Sequence, residues 1–147
     1  MNPILFWSKK DIFFPTPPIV EDYEAQRKRS SKLILESEKK TLFDRCPLDF
    51  LAYALAIGKD RIDLDLWKEE IEKGIHVLDY ILYLPIEDDD RIPVPSSENK
   101  KLRRKVDDNL YELIIEDSLG ILGKTDVVEV TGTLEKRVEK ILDLKLK

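Results

Sequence analysis

An aspartate–arginine pair followed by a second aspartate stands in the stretch TLFDRCPLDF. Asp44 and Arg45 come directly after a short apolar run, and Asp49 lies five residues beyond Asp44. A carboxylate accepts hydrogen bonds from hydroxyl groups, and the planar guanidinium of arginine makes paired contacts with phosphate oxygens. These residue types favour a site for a ligand that carries phosphate and hydroxyl groups.

Each of these side chains also has a purely structural interpretation. Asp44 could cap a helix that begins near Pro47 and pair with Arg45. Asp49, in the first turn of that helix, could bind a sugar hydroxyl or a metal-bound water, or could simply be favoured there by the helix dipole. The helix N-terminus could also lower the pKa of the Cys46 thiol, although nothing else in the sequence supports a thiol nucleophile.

The elements that would position these residues alternate between helix and strand. Apolar spacing and helix-ending residues predict helices over 21–40, 47–58, 65–78, 102–121 and 133–147. Short apolar runs predict strands over 41–44, 80–87 and 126–132. Pro47 suits a first helical turn and Gly58 suits a helix end.

This alternation predicts an α/β fold with a three-layer arrangement, in which helices cover a parallel sheet. Ligands of such sheets bind outside the carboxyl ends of the strands, so the segments to inspect are 44–45, 87–91 and 132–133. All 147 residues are expected to form a single domain. It would carry an apolar, proline-rich segment at 1–20 and a charged loop at 88–101.

The overall composition narrows the classes of partner. The net charge is −5 and the isoelectric point is about 5.1, which argues against a general nucleic-acid-binding surface. With one cysteine and one histidine, the chain cannot build a zinc site of thiolates and imidazoles. A single cysteine fits a reducing compartment, and there is no apolar run long enough to span a membrane. We therefore expect a cytoplasmic protein without nucleic-acid or membrane partners.

Four stretches carry a resemblance to a known family: LFDRCPLDFLAYAL, YILYLPIEDDDRIPVPS, LRRKVDDNLYELIIED and VVEVTGTLEKRVEKIL. Together they span roughly Leu42 to Leu142. In this order they resemble the later part of P-loop nucleoside and nucleotide kinases. The most similar members are the AAA-type ATPases grouped with nicotinamide riboside kinases and thymidylate kinases. The resemblance implies a three-layer parallel sheet of the P-loop kinase type, and phosphoryl transfer that uses ATP and Mg²⁺.

The resemblance also implies roles for individual residues. Asp44 would position Mg²⁺ or the attacking hydroxyl, and Arg45 would contact phosphate oxygens, with Asp49 beside them in the catalytic group. A lid closing over the phosphates would carry Arg91, Arg103 and Arg104. The nucleobase would lie against Gly132, Thr133 and Leu134. The simpler alternatives are a solvated charged loop for the lid, and Thr133 as the N-cap of the last helix.

One element of the family pattern does not occur in this sequence. Kinases of this type begin with a strand and a G-x-x-x-x-G-K-S/T loop, whereas the first hundred residues here contain only two glycines, Gly58 and Gly74, and neither begins such a loop. The stretch SLGILGKT, residues 118–125, follows a predicted helix and precedes a strand, the reverse of a P-loop, so we interpret it as a helix end and turn.

Three explanations fit this departure: a truncated product, one half of a split enzyme, or a degenerate relative. In each case the chain alone is expected to be inactive. The apolar N-terminal segment, with Phe6, Trp7, Phe13 and Phe14, would then contact a second copy or a partner that supplies the P-loop. The alternative function is a non-catalytic protein-interaction module.

Overall fold

The computed structural model describes residues 17–87, 93–95 and 99–145. The predicted lid residue Arg91, most of the predicted charged loop, and the apolar residues 1–16 lie outside this described part.

The helices are α1 (Val20–Leu35), α2 (Pro47–Gly58), α3 (Leu64–Ile75), α4 (Lys100–Leu110) and α5 (Leu134–Leu142). A 3-10 turn (Lys59–Arg61) follows α2, and a π-helical stretch (Tyr111–Ile115) continues α4. The strands are β1 (Tyr80–Tyr83) and β2 (Asp126–Glu129).

The apolar helix α2 has the bounds that its sequence predicts. Pro47 occupies the start, where its missing N–H costs nothing, and the helix ends at Gly58. A Cβ atom on Gly58 would lie 2.6 Å from Cγ2 of Val20, so this glycine also permits the close approach of α1. Six of the twelve residues of α2 are buried, and α2 contacts α1, α3 and α4, which makes it the central helix of the core.

The hydrophobic core lies mainly between α2 and its neighbours α1, α3 and α4. Leu48 and Leu51 of α2 and Ile71 of α3 are fully buried in it. Burying a side chain of this size stabilises the folded state by about 1.5–3 kcal/mol. The core therefore fixes these helices firmly around α2.

The face of α1 that packs on α3 includes polar side chains. Arg27 is almost completely buried, yet its guanidinium pairs with the partly exposed Glu70 and lies 4.7 Å from the ring centroid of Trp67. Pairing and stacking offset the cost of removing this cation from water. Gln26 and Ser31 are also buried, and in the described part of the chain their Nε2 and Oγ atoms have no hydrogen-bond partner. The interface between α1 and α3 is thus partly polar.

The two strands pair in parallel, with Tyr80 opposite Asp126 and Tyr83 opposite Glu129. The connection between them contains α4, so β1, α4 and β2 form a βαβ unit. The parallel pairing of these two strands agrees with the sequence prediction. Side chains of β1 alternate between buried and half-buried, which places Ile81 and Tyr83 on the core side.

The predicted three-layer parallel sheet of the P-loop kinase type is wrong. The described residues are mainly helical, and their sheet contains only β1 and β2. The predicted strand 41–44 has no strand conformation, and Leu42 is 59% exposed. A short apolar segment becomes a strand only when a neighbour supplies hydrogen bonds, and the described residues offer it none. The sequence showed the local preference of this segment, but it could not show that a pairing partner was lacking.

The last helix, α5, has no buried residue. Polar contacts tie this helix and the segment after it to the strands. Lys140 Nζ of α5 donates to the Glu129 carbonyl at 2.6 Å, and Tyr80 Oη donates to the carbonyl of Lys145, which follows α5, at 2.6 Å. Leu134 and Leu142 are 72% and 77% exposed, so its apolar stripe faces outward. In the described part of the chain, no helix is both long and apolar enough to cross a membrane.

Candidate functional site

An open cleft of about 490 Å³ lies at the carboxyl ends of β1 and β2. Its walls come from the segment after β1, from α4 with its π-helical continuation, and from the end of β2. They consist of Tyr83, Pro85, Ile86, Glu87, Asp107, Asp108, Tyr111, Glu129 and Thr131. Ligands of parallel βαβ units bind outside the carboxyl ends of the strands, so this cleft is the candidate site.

Asp107 organises the wall between α4 and β1. Its Oδ1 accepts hydrogen bonds from the hydroxyl of Tyr83 at 3.0 Å and from the backbone N–H of Ile86 at 3.3 Å. Burial raises the pKa of Tyr83 far above its ordinary value, and the hydrogen bond to Asp107 raises it further. The Tyr83 hydroxyl therefore stays protonated and holds Asp107 in place.

Glu87 and Arg137 join the loop after β1 to the turn before α5. Arg137 Nη2 lies 2.5 Å from Glu87 Oε2, and the backbone N–H of Gly132 donates to Glu87 Oε1 at 3.1 Å. Arg137 Nε also donates to the carbonyl of Gly132 at 2.9 Å. Gly132 has a φ of 93°, a conformation that glycine adopts without strain. The arginine neutralises Glu87 and fixes the turn at the edge of the cleft.

Two further carboxylates, Asp108 and Glu129, lie on the exposed rim of the cleft. Neither forms a side-chain ion pair with another residue of the described ranges. With Asp107 they leave the cleft negatively charged, which disfavours a bare phosphate and favours hydroxyl or cationic donors. The rings of Tyr83 and Tyr111 and the side chains of Pro85 and Ile86 supply apolar surface beside these charges.

The Asp44–Asp49 segment forms a separate group at the start of α2. Cys46 is the N-cap, and Asp49 Oδ2 accepts a hydrogen bond from the Cys46 backbone N–H at 2.7 Å. Asp49 thus lies in the first turn of α2 and caps its N-terminus, and the capping role considered for Asp44 belongs to Cys46 and Asp49. Burial raises the pKa of Asp49, and it raises that of Cys46 far above its ordinary value, the opposite of the lowering considered from the sequence.

Arg45 has a φ of 73°, which is uncommon for a residue with a side chain. Its guanidinium carbon lies 5.7 Å from the ring centroid of Tyr53, which stacks on Tyr23 at 5.1 Å. The side chain is exposed, so it remains accessible to an anion. Asp44 is exposed beside it, and neither residue lines the cleft.

The predicted lid residues Arg103 and Arg104 and the predicted base-binding residues lie on two different helices and the turn before the second one. Arg103 and Arg104 belong to the first turns of α4, where Arg103 is half-buried and Arg104 is exposed. Gly132, Thr133 and Leu134 continue directly from Thr131 of the cleft. Thr133 is the N-cap of α5 and accepts from the backbone N–H of Lys136, as its structural interpretation predicts.

The predicted Mg²⁺ site has little support from the side chains present. In the described residues no group of three or more His, Cys, Asp or Glu side chains is arranged to hold a metal ion. Asp44 is exposed, and the carboxylate of Asp49 is used by the N-terminus of α2. The side chains of Asp44 and Asp49 therefore do not fit a preformed magnesium site.

No protein family, curated protein or solved structure matches the chain in the three comparisons made.

Sequence reasoning missed most of the cleft. The predicted sites did not include Tyr83, Asp107, Asp108, Tyr111 or Glu129, whereas Glu87 was among the strand-end positions to inspect. The helical spacing of 102–121 does place Asp107 and Asp108 one turn before Tyr111. Only the packing of α4 against β1 shows that these side chains face the strand ends.

Proposed function

We propose that the chain binds the nucleoside portion of a nucleotide in the strand-end cleft and takes part in ATP-dependent phosphoryl transfer. The observation that carries this proposal is the convergence of aromatic rings and carboxylates at the carboxyl ends of two parallel strands. The turn that the resemblance associates with the nucleobase, Gly132–Leu134, begins one residue after Thr131 at the edge of this cleft.

A nucleoside suits the chemistry of these walls better than a free phosphate does. The exposed ring of Tyr111 and the exposed side chain of Leu134 offer apolar surface to a base. Asp108 and Glu129 are acceptors for ribose hydroxyls, a contact that carboxylates make in other parallel α/β sites. Because these carboxylates repel phosphate, the phosphate chain would extend out of the cleft.

The phosphoryl-transfer step stays a prediction. Arg45 and the α4 residues Arg103 and Arg104 are the cations that the resemblance assigns to phosphates, and the sequence contains no G-x-x-x-x-G-K-S/T loop. We infer that a phosphate-binding loop from another segment or polypeptide would have to complete the reaction. In this proposal the chain supplies nucleoside recognition, and it transfers no phosphate by itself.

Calorimetric titration with adenosine and with ATP tests nucleoside recognition. We expect adenosine to bind at least as tightly as ATP, because the cleft carries negative charge. Glu129→Gln should weaken adenosine binding about tenfold, since a hydrogen bond to a charged group is worth about 1.5–3 kcal/mol. Asp60→Asn removes one exposed carboxylate on the 3-10 turn and is the matched control. Adenosine binding that is absent, or equal in both variants, would refute the proposal.

A second candidate function, protein interaction, is favoured by the outward apolar stripe of α5. Leu134, Val138 and Leu142 are 72%, 45% and 77% exposed, and single-chain proteins rarely leave such a stripe uncovered. Light scattering of the parent and of Leu142→Glu would test it. If this stripe mediates self-association, the parent should show a larger mass than the variant. A partner other than a second copy would leave both proteins monomeric until that partner is added.

A further inference from the structure

We propose that the chain's own N-terminal segment, residues 1–16, docks in the strand-end cleft through Lys9 and Lys10. The docking itself depends only on the cleft. Its consequence, competition with a nucleoside, rests on the proposed function. Residues 1–16 lie outside the described residues, so the docking is inferred from their sequence and from the described walls of the strand-end cleft.

Charge is the first argument. The rim carboxylates Asp108 and Glu129 form no side-chain ion pair among the described residues, and Arg137, at the edge of the cleft, is paired with Glu87. Lys9 and Lys10 are the only basic side chains in residues 1–16, and they are adjacent. Two adjacent lysines match, in number and in sign, the two rim carboxylates that line one cleft.

The apolar surface is the second argument. The lysines follow Phe6 and Trp7 and precede Phe13 and Phe14. The cleft offers complementary surface at Pro85, Ile86 and the 46% exposed ring of Tyr111. Aromatic and apolar groups beside a cation–carboxylate contact exclude water and strengthen it. A free lysine or a metal ion would lack this second set of contacts.

The N-terminal segment is also long enough to reach the cleft of its own chain. The N-terminus of α1 lies beside the end of α2, because Val20 approaches Gly58. Ala52 is about 9 Å back along α2 at roughly 1.5 Å per residue. Its carbonyl accepts a hydrogen bond from the Asn109 side chain at 2.9 Å, and Asn109 follows Asp108 of the cleft. A chain of ten residues, as from Lys10 to Val20, can span at most about 33 Å at roughly 3.3 Å per residue. The segment can therefore reach the cleft of its own chain.

Carbodiimide cross-linking followed by mass spectrometry tests the docking on the full chain. We expect amide links from Lys9 or Lys10 to Asp108 or Glu129, and we expect them to decrease in 1 M salt, which shortens the screening length to about 3 Å. A mixture of unlabelled and isotope-labelled chains distinguishes links within one chain from links between copies. Links only between copies, or no links to the two rim carboxylates, would overturn the proposal.

Competition between the N-terminal segment and adenosine is tested by measuring adenosine affinity in the double variant Lys9→Glu/Lys10→Glu. The control is the double variant Lys39→Glu/Lys59→Glu, which changes two exposed lysines elsewhere. Removing an occupant of the cleft should tighten adenosine binding by at least about threefold, because the competent fraction rises. The control pair should leave binding unchanged. Equal affinity in both double variants would overturn the competition. Cross-links without any adenosine binding would support the docking and refute the proposed nucleoside function.

Discussion

The helical core around α2 and the strand-end region with α5 are held together by different forces. Six residues of α2 are buried, whereas α5 has none. The core depends on apolar packing, while the strand-end region depends on a few polar ties such as Arg137 to Glu87. Apolar burial resists local opening, and exposed polar ties do so weakly. The chain thus combines a firmly packed scaffold with a cleft whose boundary can adjust to a ligand.

The largest contrast should appear between Leu51→Ala in the core and Leu142→Ala on α5. Leu51 is fully buried, so its truncation should lower the free energy of unfolding by about 2–5 kcal/mol. Leu142 is exposed, and its truncation should change this free energy by less than about 0.5 kcal/mol. Urea titration of both variants gives the comparison. Equal losses would mean that α5 is packed as firmly as the core.

A medium loss of folding stability is expected when the polar interface between α1 and α3 is changed. Glu70→Gln leaves the buried guanidinium of Arg27 without its carboxylate and should destabilise the fold by about 1–3 kcal/mol. Arg27→Met removes the charge and retains contact with Trp67, so it should cost less. Thermal unfolding of both variants measures the difference. The interpretation fails if Arg27→Met is the more damaging change.

A smaller and local effect is expected at the tie between α5 and the cleft. Arg137→Gln removes the ion pair with Glu87 and weakens the contact to Gly132. Hydrogen exchange should become faster in residues 132–142, while the thermal midpoint changes little, because the core is not affected. Lys73→Gln removes an exposed ion pair on α3 and serves as the control. Unchanged exchange in α5 would show that other contacts hold this helix.

The smallest effect is a pH dependence of the free energy of unfolding, which arises from Asp49 at the start of α2. Burial raises the pKa of Asp49 in the folded state, so the folded state binds its proton more tightly than the unfolded state does. This contribution stabilises the fold at low pH and is lost as the pH rises above about 4. Asp49→Asn removes the titration and keeps an oxygen that can accept from Cys46. Relative to the parent, the variant should therefore gain stability between acidic and neutral pH in urea titrations.

Local signals in the sequence were enough to predict α2. Pro47 and Gly58 act within their own turns, so no distant contact is needed to fix these ends. The β1 and β2 runs were also recognised, although each strand is shorter than predicted, because only the hydrogen-bonded part counts as strand. The predicted helix over 102–121 is correct only as far as Ile115, since Asp117 has a φ of 44° and turns the chain.

The cleft and the missing third strand could not be predicted, because both depend on residues distant in sequence. Tyr83 and Asp107 meet across 24 positions, and Glu87 and Arg137 meet across 50. Asp44 and Arg45 were predicted at a strand end, but the segment before them has no pairing neighbour in the described residues. Their role in phosphoryl transfer remains a prediction that the fold neither excludes nor supports.

The π-helical stretch Tyr111–Ile115 joins the wall of the cleft to the core, because it carries side chains that belong to each. A π turn contains one residue more than an α turn over the same length of axis. Before it, Asp107 and Asp108 face the cleft. Within it, Tyr111 does so while Leu113 and Ile114 are buried. A single inserted or deleted residue here would rotate the wall of the cleft relative to the core. Because Leu113 and Ile114 belong to the same core cluster as the buried residues of α2, a change in chain length at this position would alter the cleft and the core together.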